Sequence, residues 1–69
     1  MQPRWVGAFE IHTAIRDGEM TISANREGLL SLANILCDLA EGRPGDHVHL
    51  DEHNALEDGS CELVIERIG

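Results

Sequence analysis

Asn25-Arg-Glu-Gly-Leu-Leu-Ser-Leu-Ala-Asn-Ile-Leu-Cys-Asp-Leu-Ala-Glu-Gly42 is the stretch on which the fold turns. Leu29, Leu32, Ala33, Leu36, Leu39 and Ala40 recur at helical spacing, while Ser31, Asn34, Asp38 and Glu41 mark an opposite polar face. Leu30 and Cys37 widen the apolar stripe on one side. Asn25 suits the N-cap, with Ser23 as the alternative, because its side-chain oxygen can accept from the unpaired N–H groups of the first turn. Glu27 favours the positive end of the helix dipole. Gly42 and Pro44-Gly45 stop the helix, which the pattern therefore places from Arg26 to Glu41.

The flanking segments alternate with a period of two. Upstream, Trp5, Phe9, Ile11 and Ile15 fall on one face, and Val6, Ala8, Glu10 and His12 on the other. Asp17-Gly18 is a turn signal, and Met20 and Ile22 then alternate with Glu19, Thr21 and Ser23 as a returning strand. Downstream, Asp46 to Asp51 puts Val48 and Leu50 on one face and His47, His49 and Asp51 on the other. Glu52 to Gly59 reads as a polar connector. Ser60 to Arg67 places Cys61, Leu63 and Ile65 opposite Glu62, Val64 and Glu66.

The order is β-β-α-β-β in a single small α+β domain over residues 1–69. One helix packed on a four-stranded, largely antiparallel sheet gives a two-layer sandwich. The expected core is Phe9, Ile11, Met20, Ile22, Leu29, Leu32, Leu36, Val48, Leu50, Leu63 and Ile65. An antiparallel sheet can leave its second face in water, and function is sought on that face.

Charge narrows the choice of partner. Thirteen Asp and Glu stand against five Arg, with no Lys, for a net charge of −8. Nine of those carboxylates follow from Asp38 onward, opposed only by Arg43 and Arg67. Such a field attracts cations and repels nucleic acid, which requires a basic stripe to meet phosphates. It also has a plain alternative reading, since net charge keeps a small domain soluble. No apolar run approaches the roughly 20 residues of a membrane span, and no leader pattern begins at Met1, so a cytoplasmic protein is expected. Cys37 and Cys61 are too few for a disulfide scaffold; they read as free, reduced and partly buried, with a bridge between them left open by the sequence.

Histidine carries the most chemical information, with His12, His47, His49 and His53 in so short a chain. The spacing in His47-x-His49-x-Asp51 puts three side chains on one side of a strand. That face can be solvated, meet a partner, hold a divalent metal or act in acid–base chemistry. Glu10 and His12 join it if their strand lies alongside. Nucleophiles are poorly served: Ser60 is not on a strand-turn-helix elbow, and Cys37 has no cationic neighbour in the sequence to lower its pKa. The absence of Lys removes phosphate-loop and Schiff-base lysines. The chain is therefore not expected to be an enzyme. Arg4 and Trp5 suit either the sheet edge or an interface anchor. The wide helix stripe, with Val6, Ala8 and Val64 on the outer sheet face, suits either a larger core or a homodimer.

Three motifs carry a family resemblance. Gly28, Leu29, Leu32 and Ala33 form a G-L-x-x-L-A element; His49, Leu50 and Asp51 belong to an H-x-H-L-D-like strand; Glu62, Leu63 and Ile65 form an E-L-x-I-like strand. Together they resemble the immunity protein 32 family, small bacterial proteins of polymorphic toxin systems. The resemblance implies a non-enzymatic protein that binds and neutralises a cationic toxin protein. It brings no catalytic residue and no cofactor. The expected contact surface is acidic and contains His12, His47, His49, Asp51, Glu62 and Glu66. The alternative is a small metal-binding domain built on His47, His49 and Asp51.

Overall fold

Asp17 and Gly18 both adopt positive φ, 49° and 80°, which closes a two-residue hairpin between β1 (Ile11–Arg16) and β2 (Glu19–Ala24). The computed structural model describes residues 3–69; Met1, on which the leader reading falls, and Gln2 lie outside the described residues. Helix α1 (Arg26–Ala40) follows, capped by Asn25 as the sequence indicates. Pro44 and Gly45 then turn the chain, with the Asp46 N–H donating to the Arg43 carbonyl at 3.0 Å. Strands β3 (His47–Leu50) and β4 (Leu63–Glu66) complete the order.

The expected four-stranded sheet is not formed. β1 pairs with β2 and β3 with β4, both antiparallel, in two separate two-stranded sheets. The reason lies along the second edge of β1. The Thr13 N–H donates to the Ser60 hydroxyl at 3.1 Å, where a backbone carbonyl would be required for a ladder. The carbonyls of Ile11 and Thr13 accept from Glu57 and Cys61, at 2.9 and 3.3 Å. Ile11 to Thr13 is thus matched against the longer run Glu57 to Cys61, a mismatch that regular pairing cannot follow. The last strand consequently begins at Leu63, later than the alternation from Ser60 suggests.

The stretch before β1 is also not a strand. Residues 3–10 lie along α1 and are held there by polar groups. Arg4 meets Asp38, and the Arg4 carbonyl accepts from Asn34 Nδ2 at 2.9 Å. The Val6 N–H donates to Ser31 Oγ at 2.8 Å, and Asn25 binds both Ala8 and Glu10. Trp5 stacks on Phe9 with ring centroids 4.7 Å apart. The helix face that reads as solvated is therefore covered by this segment, and Ser31 is fully buried with its hydroxyl satisfied from both sides.

Burial follows a stripe of Gly28, Ser31, Leu32, Ile35 and Leu39 on α1. These helix residues meet Ile11, Leu50, Ala55 and Leu56, with Phe9, Ala24, Val48, Leu63 and Ile65 packed around them. Of the expected core, Leu29 and Leu36 are exposed, because the true stripe is rotated toward Ser31. Met20 and Ile22 are exposed for a different reason. They share a face with Ile11, but they sit toward the hairpin turn, where α1 does not cover them. Cys37 is exposed, contrary to the expectation of partial burial, and Cys61 is half-buried; both are free.

Gly28 sets the distance between helix and hairpin. A Cβ there would run into the Glu10 carbonyl oxygen and stand 3.0 Å from both Ala24 Cβ and Ile11 Cγ1. Gly28→Ala gains about 1 kcal/mol of helix propensity, but overpacking against backbone costs about 1–3 kcal/mol. A net loss is expected, read as a lower midpoint in urea unfolding. Asn25→Ala removes a cap and two further hydrogen bonds, and is expected to cost at least about 1–2 kcal/mol in the same measurement. An unchanged midpoint in either variant would contradict these roles.

Candidate partner-binding surface

β3 alternates as its sequence indicates. Val48 and Leu50 face inward, and His47 and His49 are exposed on the other side. Their rings meet edge to face with centroids 5.2 Å apart and planes at 73°. His47 Nδ1 lies 3.1 Å from the Gly45 carbonyl oxygen. Antiparallel register places Glu66 opposite His47 and Val64 opposite His49. This hairpin face thus presents two imidazoles, a carboxylate and one exposed valine, with exposed Glu62 just before β4.

Asp51 does not extend the imidazole row. Its carboxylate accepts the His53 N–H at 2.8 Å, and its carbonyl accepts from Asn54, Ala55 and Leu56. Asn54 returns the contact, accepting from the Asp51 N–H and donating to the His49 carbonyl, both at 2.8 Å. Glu52 closes the far side by accepting the Gly59 N–H at 2.7 Å. The segment read as a polar connector is therefore an ordered loop that drives Ala55 and Leu56 into the core. Two adjacent apolar residues leave no periodic signal; the Asp51 and Asn54 pair was the available clue.

His12 belongs to the other hairpin. Its Nε2 lies 2.8 Å from Glu10 Oε2, and it stands opposite Ser23 on the side of β1 away from Ile11 and Thr13. The structure brings His47, His49 and Glu66 together, and leaves Asp51 and His12 in separate hydrogen-bonded settings. Among the described residues, no group of three or more His, Cys, Asp and Glu side chains is placed to hold a metal ion.

Two arginines, Arg67 and Arg4, are committed to structure. Arg67 donates from its guanidinium to the carbonyls of Ala40 and Gly42, at 3.2 and 2.7 Å, and so closes the end of α1, whose last turn has no basic residue. Arg4 makes a two-point contact with Asp38 at 2.7 and 3.3 Å. That hydrogen-bonded contact, and then the Asp38 charge, raise the Arg4 pKa above its ordinary value. The ion pairs among the described residues involve Glu10, Glu27 and Asp38, which leaves the carboxylates beyond Asp38 outside them.

An open groove of about 430 Å3 runs between the end of α1 and the end of the chain, lined by Leu36, Leu39, Ala40, Ile65, Ile68 and Arg67 among others. Its size falls within the roughly 300–1,000 Å3 of ligand sites, but it lacks the converging polar groups that orient a substrate. Arg67 is turned to the helix end, and Glu66 contributes an acidic side chain to the lining. No helix is long and apolar enough to cross a membrane among the described residues.

Residues 19–68 match the family model of Immunity protein 32, from β2 through the end of β4, and the chain belongs to that family. No curated protein and no solved structure matches it. Within the matched region, Gly28 is the close-contact glycine under Glu10, and Leu50 is a core residue. Gly28, Leu32 and Leu50 of the quoted motifs thus serve packing, while Leu29, Ala33, His49 and Glu62 are exposed.

Leu56 supports the whole loop that joins the two strands of the imidazole hairpin. Leu56→Ala is expected to lower stability by about 2–5 kcal/mol, as for other buried leucines. Hydrogen exchange should show the loss first at the amides of Asn54 to Cys61. Faster exchange confined to β1 and β2 would instead place the support elsewhere.

Proposed function

We propose that this member of the immunity protein 32 family captures a toxin protein in the cytoplasm and blocks it by occupancy, with no chemical turnover of its own. The observation that carries this reading is the family match over residues 19–68. Residues 1–69 act as one unit in this proposal. The contact surface is the acidic, imidazole-bearing side: His47, His49, Glu62 and Glu66 on the β3–β4 hairpin, Asp51 at its end, and His12 on the neighbouring hairpin. The partner is a toxin of a polymorphic system with a cationic surface over its active site.

Charge supports the reading. The region from Asp38 onward carries nine carboxylates and two arginines, and Arg67 is already bound to helix carbonyls. The remaining negative field is free to steer a cationic partner, an effect that acts mainly on association rate and weakens with salt. His47 and His49 add flat, amphipathic contact area beside Glu66. Glu62 and Glu66 are exposed, so neutralising them leaves the core intact.

The experiment begins with tagged protein in its own source cells, captured at low and moderate salt, with the assembly weighed by native mass spectrometry. A cationic toxin domain whose activity falls as the complex forms is the expected product. The double change Glu62→Gln with Glu66→Gln should then slow association about tenfold at low salt and much less at high salt. Capture of an inhibited toxin at a rate indifferent to both the double change and salt would overturn the acidic contact surface.

A further inference from the structure

We propose that β2 is a self-pairing edge: two copies of the chain join antiparallel, β2 to β2 about Ile22, into one four-stranded sheet ordered β1-β2-β2-β1. This goes beyond capture of a toxin and uses the free edge of β2, which carries none of the contact residues proposed above.

The backbone leaves that edge ready. Thr13 turns its N–H and carbonyl away from β2, toward Ser60 and Cys61. Ladder alternation then assigns the β1–β2 bonds to His12, Ala14 and Arg16 with Ser23, Thr21 and Glu19. Met20, Ile22 and Ala24 consequently point their N–H and carbonyl groups at the free edge. Among the described residues, no other segment pairs with it. Edge strands are ordinarily protected by Lys, Pro, a bulge or an inward charge. Glu19–Ala24 has none of these, its register with β1 is unbroken, and its one charge is the terminal Glu19.

The side chains favour the same joint. Ile15, Met20 and Ile22 share the face that carries Ile11, yet are 60, 69 and 47% exposed. Ile15 stands directly opposite Met20, with Ile22 two residues farther along, so the three form one apolar strip. A two-fold axis through Ile22 sets this strip beside its own copy on the same face of the joined sheet, and brings Met20 opposite Ala24 of the second copy.

Charge favours a second copy as the occupant. Residues 1–37 hold three arginines and four carboxylates, a net of 3 − 4 = −1; residues 38–69 hold two and nine, a net of 2 − 9 = −7, which together give the −8 of the chain. Two such chains repel least when they meet through the first half, where β2 lies, whereas a cationic partner is drawn to the other. The two-fold register also places Glu19 opposite Asn25 of the second copy. That carboxylate then lies beside the exposed Arg26 and the positive end of α1, and the symmetry repeats the contact.

The purified full chain, with no toxin present, tests this by sedimentation equilibrium across a dilution series. The expected mass is twice 7.6 kDa, falling to 7.6 kDa on dilution. Met20→Lys with Ile22→Lys should give the single mass at every concentration, with unchanged circular dichroism. Hydrogen exchange supplies a readout independent of the variant. Met20, Ile22 and Ala24 amides should be protected only at high concentration, while Thr21 and Ser23 are protected throughout. A chain that stays at 7.6 kDa, a dimer that survives the double change, or a dimer with those three amides unprotected overturns the proposal. Protection that appears only when a toxin domain is added would assign the edge to the toxin and overturn it equally. If the double variant fails to fold, the alternating protection pattern decides alone. None of these outcomes bears on whether the acidic side captures a toxin.

Discussion

The side-chain amide of Asn25 joins three parts of the chain: the start of α1, the β1–β2 hairpin and the segment that enters it. Its oxygen accepts from Gly28 at 2.7 Å and from Glu10 at 2.9 Å, and its nitrogen donates to Ala8 at 3.0 Å. Its backbone N–H also donates to the Glu10 carbonyl, at 3.1 Å. One residue thus caps α1, ends the β1–β2 hairpin and ties the entering chain to both. Aspartate could cap the helix, but it would face the Ala8 carbonyl with an acceptor; serine has no second arm to offer. Once that joint is set, residues 3–10 are laid along α1, and the polar stripe Ser31, Asn34 and Asp38 becomes a seam.

That seam separates what the sequence shows from what it conceals. The bounds of α1, the Asp17-Gly18 turn and the alternation of β3 are local properties, governed by caps, positive φ and side-chain period. All three are legible. The phase of the helix is not, because Ser31 is buried by a hydrogen bond from Val6, twenty-five residues away in the chain. A serine in the right register for the core reads as surface unless its partner is known. The same limit applies to the sheet. Alternation identifies β-forming segments, but Ser60 decides that β1 and β4 stay apart by giving Thr13 a hydroxyl in place of a carbonyl. Among the proposed contact residues, the exposure of His47 and His49 follows from period two, whereas Asp51 is diverted by its own loop to the His53 N–H.

Arginine use explains how a strongly acidic chain holds its shape without cancelling its field. Arg67 reaches from the end of β4 to the carbonyls that close α1, where a cation also opposes the negative end of the helix dipole. Arg4 fastens the entering chain to Asp38. Both contacts secure the backbone, and both sit away from the loop that carries Asp51, Glu52, Glu57 and Asp58. Negative charge in that region is offset by backbone N–H donors: His53 for Asp51 and Gly59 for Glu52. Such donors orient a carboxylate without neutralising it. The fold therefore keeps its acidic field while the loop stays ordered.

A small domain also has few ways to be stable, and this one relies on joints more than on volume. Among the described residues seven apolar ones are buried, including an alanine and a leucine supplied by a loop. Polar seams between Asn25, Ser31, Thr13 and Ser60 fix how the helix and the two hairpins meet, and no buried polar side-chain atom among the described residues lacks a partner. The modest stability expected of so small a core has a functional corollary for a protein of an immunity family. A partner that binds only the native state adds stability in proportion to the logarithm of its concentration over the dissociation constant. For any such partner, occupancy and persistence of the fold are linked in a single equilibrium.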